Sequence, residues 1–180
     1  MTKMFHVGHH DVPETPWISP RVAIDASADR GRGLFAKEPI AIGETVLVWG
    51  GDSYTDEAGA DLARSQGRGV MQWDDGLYSC EGGTDHEAFA INHSCNPNIW
   101  MQDVFTLTAR RDIPRGTELC LDYATLGGQS DKPADWACRC GEPDCRGRIT
   151  GADWKKAELR IRYAGHFTPW LAQMIAKDSA

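Results

Sequence analysis

Three cysteines fall within eight residues near the end of the chain, in Cys138-Arg139-Cys140-Gly141-Glu142-Pro143-Asp144-Cys145. A fourth stands far upstream, inside Asn92-His93-Ser94-Cys95-Asn96-Pro97-Asn98. Zinc takes four soft ligands in a tetrahedron, so a C-x-C-x4-C hook is one thiolate short and must be completed from elsewhere in the fold. Cys95 is the candidate, and choosing it requires a mid-chain loop to meet the hook. Reduced thiols without metal, or disulfides, are the alternatives. The turn-forming Gly141, Pro143 and Gly147 around the trio favour a metal knuckle. The ion expected is one structural Zn2+ per chain on Cys95, Cys138, Cys140 and Cys145, with four thiolates leaving no position for water.

The 180 residues suffice for one domain that buries its own core without disulfide staples. Hydrophobic content of 41% and charged content of 25% exclude a disordered chain or a fibre. A formal net charge of −7 argues against a phosphate backbone as ligand and suits a basic partner, so no direct nucleic-acid binding is expected. No apolar run reaches the roughly 20 residues that span a bilayer, and the first residues lack the apolar stretch of a secretory signal. The expectation is an intracellular protein, cytoplasmic or, in a eukaryote, nuclear, with no membrane partner. In a reducing compartment Cys80 and Cys120, both in strand-like stretches, read as buried hydrophobes.

Residues 1–16 carry His6, His9, His10, Pro13 and Pro16 with little apolar pattern and read as a flexible tail. Three nearby histidines are able to hold a metal, but composition alone assigns the cluster no function. From Arg21 onward, short β segments alternate with turns: Val22-Ala23-Ile24, Leu34-Phe35-Ala36 and Thr45-Val46-Leu47-Val48-Trp49. Residues 56–68 predict a short or frayed helix, interrupted by Gly59 and Gly67. Asp74-Asp75-Gly76 predicts a hairpin between residues 70–73 and 77–80. Further strands are expected over 99–104, 105–109 and 118–123. Gly127, Gly128, Ser130 and Pro133 make residues 124–137 a flexible connector, suited to a lid hinge. Two helices are expected to close the chain. The first opens on a capping-box-like Thr150 and Asp153 and faces inward with Trp154, Ala157 and Ile161. The second opens on Thr168-Pro169 and faces inward with Trp170, Leu171, Met174 and Ile175. The organisation predicted is a tail over 1–16, a mainly β body over 17–126, a connector and zinc-binding segment over 127–148, and a helical extension over 149–180.

Arg30-Gly31-Arg32-Gly33-Leu34-Phe35-Ala36 is a glycine-rich turn between strands. Neither a G-x-G-x-x-G spacing into a helix nor a G-x-x-x-x-G-K-[ST] loop is present, which disfavours dinucleotide and P-loop folds. What remains is bare backbone that a ligand can approach closely. Glu118-Leu119-Cys120-Leu121-Asp122-Tyr123 ends a buried-looking strand in an acid and a phenol. In this order, glycine turn, Asn-His-Ser-Cys, Glu-Leu-x-x-Asp-Tyr and cysteine hook, the chain resembles the SET-domain family of protein lysine methyltransferases with a post-SET zinc knuckle. The resemblance covers roughly residues 17–148 and includes Gly43-Glu44-Thr45-Val46-Leu47-Val48-Trp49-Gly50-Gly51.

That resemblance implies a mainly β, β-clip-type SET fold with short helices, in which residues 92–98 and 118–123 form a pseudoknot. It implies S-adenosylmethionine against the backbone of Gly31, Arg32 and Gly33, beside Asn92, His93 and Tyr123. A lysine-containing protein, histone-like or ribosomal, would insert its side chain through an apolar channel formed by Trp49, Leu121 and Tyr123. Tyr123 is the implied catalytic residue, and Trp136 and Arg139 would lie over the adenine or simply on the surface. Methyl transfer is an in-line displacement, and burial beside a positive sulfur lowers the pKa of the incoming amine, so no dedicated base is required. His93 is read as a cofactor contact before a general base. Glu118 and Asp122 are read as buried partners of backbone or arginine groups.

Several positions depart from the family pattern. Trp49 replaces a tyrosine, Leu121 a phenylalanine or tyrosine, Asp52 a glutamate, and Phe89-Ala90 an Arg-Phe pair. The alternative to the enzyme is a catalytically inactive SET-like module that binds a basic peptide. A third reading is a purely structural zinc protein. Substrate protein, degree of methylation and oligomeric state are not legible in the residues.

Overall fold

Turn residues every few positions break the chain into strands too short for one large sheet, and several small sheets result. The structure is a computed structural model that describes residues 3–28, 30–82, 90–126 and 135–178. In chain order the strands begin with β1 (Met4–Val7), β2 (His10–Pro13), β3 (Trp17–Ile18), β4 (Val22–Ala26), β5 (Arg32–Ala36), β6 (Thr45–Val48) and β7 (Tyr54–Thr55). Helix α1 (Glu57–Ser65) leads to β8 (Val70–Asp74), β9 (Leu77–Cys80), β10 (Asn92–His93), β11 (Ile99–Met101), β12 (Thr106–Ala109) and β13 (Glu118–Leu121). The chain ends with β14 (Asp135–Ala137), β15 (Arg148–Thr150), α2 (Ala157–Arg162) and α3 (Pro169–Asp178).

Two four-stranded sheets, ordered β10-β13-β5-β4 and β11-β12-β6-β3, carry the body, with β7-β9-β8 as a third sheet. Their alternating apolar residues meet in one core that includes Leu34, Leu47, Trp49, Trp73, Ile99, Leu107, Leu119 and Leu121, all at most 2% exposed. Each such side chain contributes on the order of 1.5–3 kcal/mol by leaving water. The β8–β9 hairpin turns at Asp74-Asp75-Gly76 as predicted, with a register shift between Gln72 and Asp74. Asp56 caps α1 by accepting from the Gly59 amide at 3.0 Å.

The N-terminal tail expected over 1–16 is instead a hairpin, with β1 and β2 paired from Met4↔Pro13 to Val7↔His10. Its anchor is small: Val7 and Val12 are buried, and the Gly51 amide donates to the Pro13 carbonyl at 2.9 Å. Met4, Phe5, Val7 and Val12, scattered among three histidines, make too weak a pattern to read as strands. Near the other end, Thr150 donates to Asp153 Oδ1 at 2.9 Å, but Thr150 ends β15 and Asp153–Lys155 is a 3-10 turn. Helix α2 therefore starts at Ala157, and its phase buries Leu159 and Tyr163 while Ile161, expected inward, is 79% exposed. Thr168 caps α3 as predicted, its Oγ1 accepting from the Leu171 amide at 3.4 Å. Cys80 and Cys120 are buried.

The strands expected over 99–104 and 105–109 are shorter, because Asp103 accepts from the amides of Phe105 and Thr106 and turns the chain between them. Gly127, Gly128, Ser130 and Pro133 of the proposed hinge, and Phe89, lie outside the described residues. Asp135–Ala137 and Arg148–Thr150, on either side of the hook, pair as an antiparallel ladder that periodicity did not reveal. Among the described residues no helix is long and apolar enough to cross a membrane.

Candidate active site and zinc centre

The hook closes on itself through its glycines and thiols. Gly147, at φ +72°, takes a left-handed conformation that suits a residue without Cβ, and its carbonyl accepts from the Cys138 amide at 3.0 Å. Cys95, fully buried, reaches this hook: its Sγ lies 3.8 Å from that of Cys138 and accepts from the Arg146 amide at 3.3 Å. The sulfurs of Cys95, Cys138, Cys140 and Cys145 all lie within 4.8 Å of one another. Burial, the largest cause, pushes the Cys95 thiol far up and that of Cys138 up to about 11, so a shared cation would stabilise the thiolate form there. The donor set fits one closed tetrahedral Zn2+ of structural type.

Beside this centre, β10 runs parallel to β13, with Asn92 opposite Cys120 and His93 opposite Leu121. Asn98 locks the two segments: its Nδ2 donates to the Glu118 carbonyl and its Oδ1 accepts from the Cys120 amide, both at 2.8 Å. Asn92 Nδ2 donates to the Arg32 carbonyl at 3.0 Å and to Glu118 Oε1 at 2.6 Å, and Arg30 pairs with the other Glu118 oxygen. Gly33 leaves room for this carboxylate, since a Cβ would stand 2.3 Å from Glu118 Oε1 and displace the Glu118 side chain. Asn92 and Glu118 thus hold the glycine turn in place from below.

Asp122, fully buried, sits under the candidate catalytic tyrosine. It accepts both Nη groups of Arg146 at 2.7 Å, the Tyr163 hydroxyl at 3.0 Å and the Ala124 amide at 3.0 Å. These bonds stop β13 at Leu121 and turn the chain into the 3-10 segment Tyr123–Thr125. The Tyr123 amide donates to His93 Nδ1 at 3.2 Å, and its hydroxyl donates to the Ile91 carbonyl at 2.7 Å. His93 is committed at both nitrogens, since Nε2 lies 3.3 Å from Cys95 Sγ. Burial, which outweighs the Asp122 carboxylate 3.7 Å away, lowers its pKa to about 4. It is a neutral spacer between the phenol and the zinc centre.

Two cavities converge on Tyr123. A cleft of about 480 Å³ is lined by Arg30, Asn92, His93, Tyr123, Trp136 and Arg139, among others. A narrower pocket of about 190 Å³ is lined by Trp49, Met71, Trp73, Ser79, Ile91, Leu121, Tyr123 and Leu126. Tyr123 is the residue common to both among the described residues. Trp136 on β14 is 47% exposed, and its ring centre lies 6.3 Å from that of Tyr123.

Asn92, His93 and Tyr123 therefore meet in one cleft, and Trp49 and Leu121 meet Tyr123 in the other cavity. Gly31, Arg32 and Gly33 do not line this cleft; Arg30 of the same turn does. Met71 and Trp73 went unnoticed in the sequence because hairpin residues look like ordinary core. Trp73 packs against Trp49 in a tilted arrangement, with ring centres 4.9 Å apart and planes at 59°, and donates to Ser79 Oγ at 2.8 Å. Arg146, Tyr163 and Arg30 were also missed. Only the position of Arg146, directly after the last hook cysteine, hinted at a role.

The SET domain family model matches residues 31–124, and the chain belongs to the SET-domain family. The histone-lysine N-methyltransferase ash1 of Drosophila melanogaster is 30% identical over 148 residues, 74% of this chain and 6% of that protein. The Arabidopsis thaliana histone H3-lysine(4) N-trimethyltransferase ATX1 is 27% identical over 157 residues, 78% of this chain and 14% of that protein. The chain thus spans a small part of the length of the curated relatives it matches. The crystal structure of Arabidopsis thaliana SUVH6 in complex with SAM superposes with a TM-score of 0.56 at 21% identity, covering 73% of this chain and 33% of that one. That likeness bears on the fold.

Proposed function

We propose that this chain is a protein-lysine N-methyltransferase that uses S-adenosylmethionine. The observation that carries this reading is the position of Tyr123, one side chain shared by a larger cleft of mixed chemistry and a smaller apolar pocket. A cleft of about 480 Å³ lined by a buried imidazole, an amide, two guanidinium side chains and an indole has the room and the mixed chemistry that a nucleoside with an amino-acid tail needs. S-adenosylmethionine, when bound, supplies an electrophilic methyl group on a positive sulfur.

The protein's part is to position the amine and exclude water. Trp49, Trp73, Met71, Leu121 and Leu126 present apolar surface to a lysine stem, and an ammonium in that pocket loses hydration, which lowers its pKa toward the neutral form. Burial holds the Tyr123 phenol up to about 12, so it stays protonated and keeps its bond to the Ile91 carbonyl at 2.7 Å. Its oxygen lone pair is then the fixed polar group at the junction, suited to orienting the amine. Asn92, His93 and the turn at Gly31, Arg32 and Gly33 would hold the cofactor. Cys95, Cys138, Cys140 and Cys145 would hold zinc, which supplies structure alone.

A basic protein with accessible lysines suits an acidic enzyme, and histone-like or ribosomal proteins are the substrate class to screen, in the cytoplasm or nucleus. The proposed units are a catalytic domain over 17–126 with the zinc-binding segment up to residue 148. The test is transfer of a labelled methyl group from the cofactor to histones, ribosomal proteins and lysate proteins by wild type and Tyr123→Phe. Transfer by wild type that collapses in the mutant supports the enzyme. Silence of both, with cofactor still bound, identifies a peptide-binding module instead.

A further inference from the structure

Folding of the N-terminal residues into a hairpin gives the histidine cluster a partner that the sequence did not reveal. His9 and His10, adjacent in the turn and at the start of β2, have ring centres 4.0 Å apart. One ligand atom from each and one carboxylate oxygen of Asp74, at the end of β8, lie within 4.8 Å of one another. We propose that His9, His10 and Asp74 form a second metal site, for a divalent transition ion such as zinc or cobalt, independent of the four-thiol centre. Two imidazoles and a carboxylate are donors that such ions accept and that Mg2+ or Ca2+ does not seek.

The surroundings are those of a built site. The side chains of His10 and Asp74 are 10% and 19% exposed, with Nε2 3.9 Å from Oδ2. His10 Nε2 also lies 3.0 Å from the Asp75 carbonyl, a contact that an ion taken by this nitrogen would replace, and Asp74 Oδ1 accepts from Gln173 of α3 at 3.0 Å. A metal-ligating carboxylate is held by an outer partner in this way, which fixes its orientation before the ion arrives. Three protein donors leave coordination positions for water. The ion would join three segments distant in sequence: the N-terminal hairpin, the β8–β9 turn and, through Gln173, the C-terminal helix. It would also brace the strand that carries Trp73, which lines the apolar pocket.

The test is calorimetric and spectroscopic titration of Co2+ into protein carrying one zinc per chain. One further equivalent is expected, with weak visible absorption and without the intense charge-transfer band that cobalt thiolates give. His9→Ala, His10→Gln and Asp74→Asn should each weaken binding by at least about 10–100-fold, and Gln173→Ala by about 10-fold. His6→Ala should change nothing, since exposed His6 pairs with Asp11 instead. His9 is exposed, so His9→Ala leaves the fold intact, and unchanged cobalt affinity in that variant overturns the site. So does the absence of saturable binding, or a thiolate band accompanying the extra equivalent.

Discussion

Arg146 grips both carboxylate oxygens of Asp122, Nη1 on Oδ2 and Nη2 on Oδ1, each at 2.7 Å. Its own amide donates to Cys95 Sγ, and Asp122 immediately precedes Tyr123. One residue therefore joins the zinc centre to the turn that aims the phenol. Its Nε also donates to Asp153 at 3.2 Å, so the C-terminal segment is tied to the same point.

Replacing Arg146 by methionine should strand the buried Asp122 charge. A loss of about 3–5 kcal/mol is expected, as for one partner removed from a buried pair. Urea denaturation of zinc-loaded protein measures it. Arg146→Lys keeps the charge and loses the two-pronged geometry, so it should fall between wild type and methionine. Equal stability of all three would show that the pair bears no weight.

Tyr123→Phe should lower the methyl-transfer rate roughly 100-fold, the scale set by losing one preorganised polar group at a reacting centre. Cofactor affinity, read by calorimetry, should change little, because the ring and its packing remain. A parallel fall in affinity would move Tyr123 from orienting the amine to binding the cofactor.

The phenol also predicts a pH effect on stability. Its pKa rises from 10.0 to about 12 on folding, chiefly through burial, so the native state holds the proton that the unfolded chain releases. The stabilisation is fully present below pH 10 and is lost as pH climbs through 12. Denaturation at pH 8.5 and pH 11 should show wild type losing more stability over that interval than Tyr123→Phe. An identical loss would mean that the tyrosine titrates normally.

Metal analysis should return one zinc per chain for protein prepared without added metal, provided the histidine site is the weaker of the two. Cys95→Ser should retain less and unfold at lower temperature, because binding free energy at a structural site is folding free energy. Zinc content that survives this change would remove Cys95 from the ligand set. Chelation should also loosen β14 and β15, which flank the hook, and so shift the emission of Trp136 on β14.

Much of the candidate site was legible because it is written in local chemistry. Thiols at C-x-C-x4-C spacing have few uses, and Cys95 stood out as the thiol set in a polar loop. Glu118 and Asp122 were readable as partners of arginines because buried carboxylates must be paired. Which arginines they meet was not readable: Arg30 is 88 residues from Glu118, and Arg146 is 24 from Asp122. The N-terminal hairpin went unread for a related reason, since Val7 and Val12 signal a strand only once the surface that covers them exists.

The sequence by itself determined the residue types able to bind zinc, the strand and turn positions over most of the body, and the acid and phenol that end β13. These follow from side-chain chemistry and from periods of two or of three to four residues, which act within a few positions. Only the tertiary structure decided that Tyr123 stands between two cavities, that Trp73 and Met71 share its pocket, and that Asp74 comes to face His9 and His10. Those facts depend on which distant segments pack together, a choice made by burial of the whole core rather than by any local pattern.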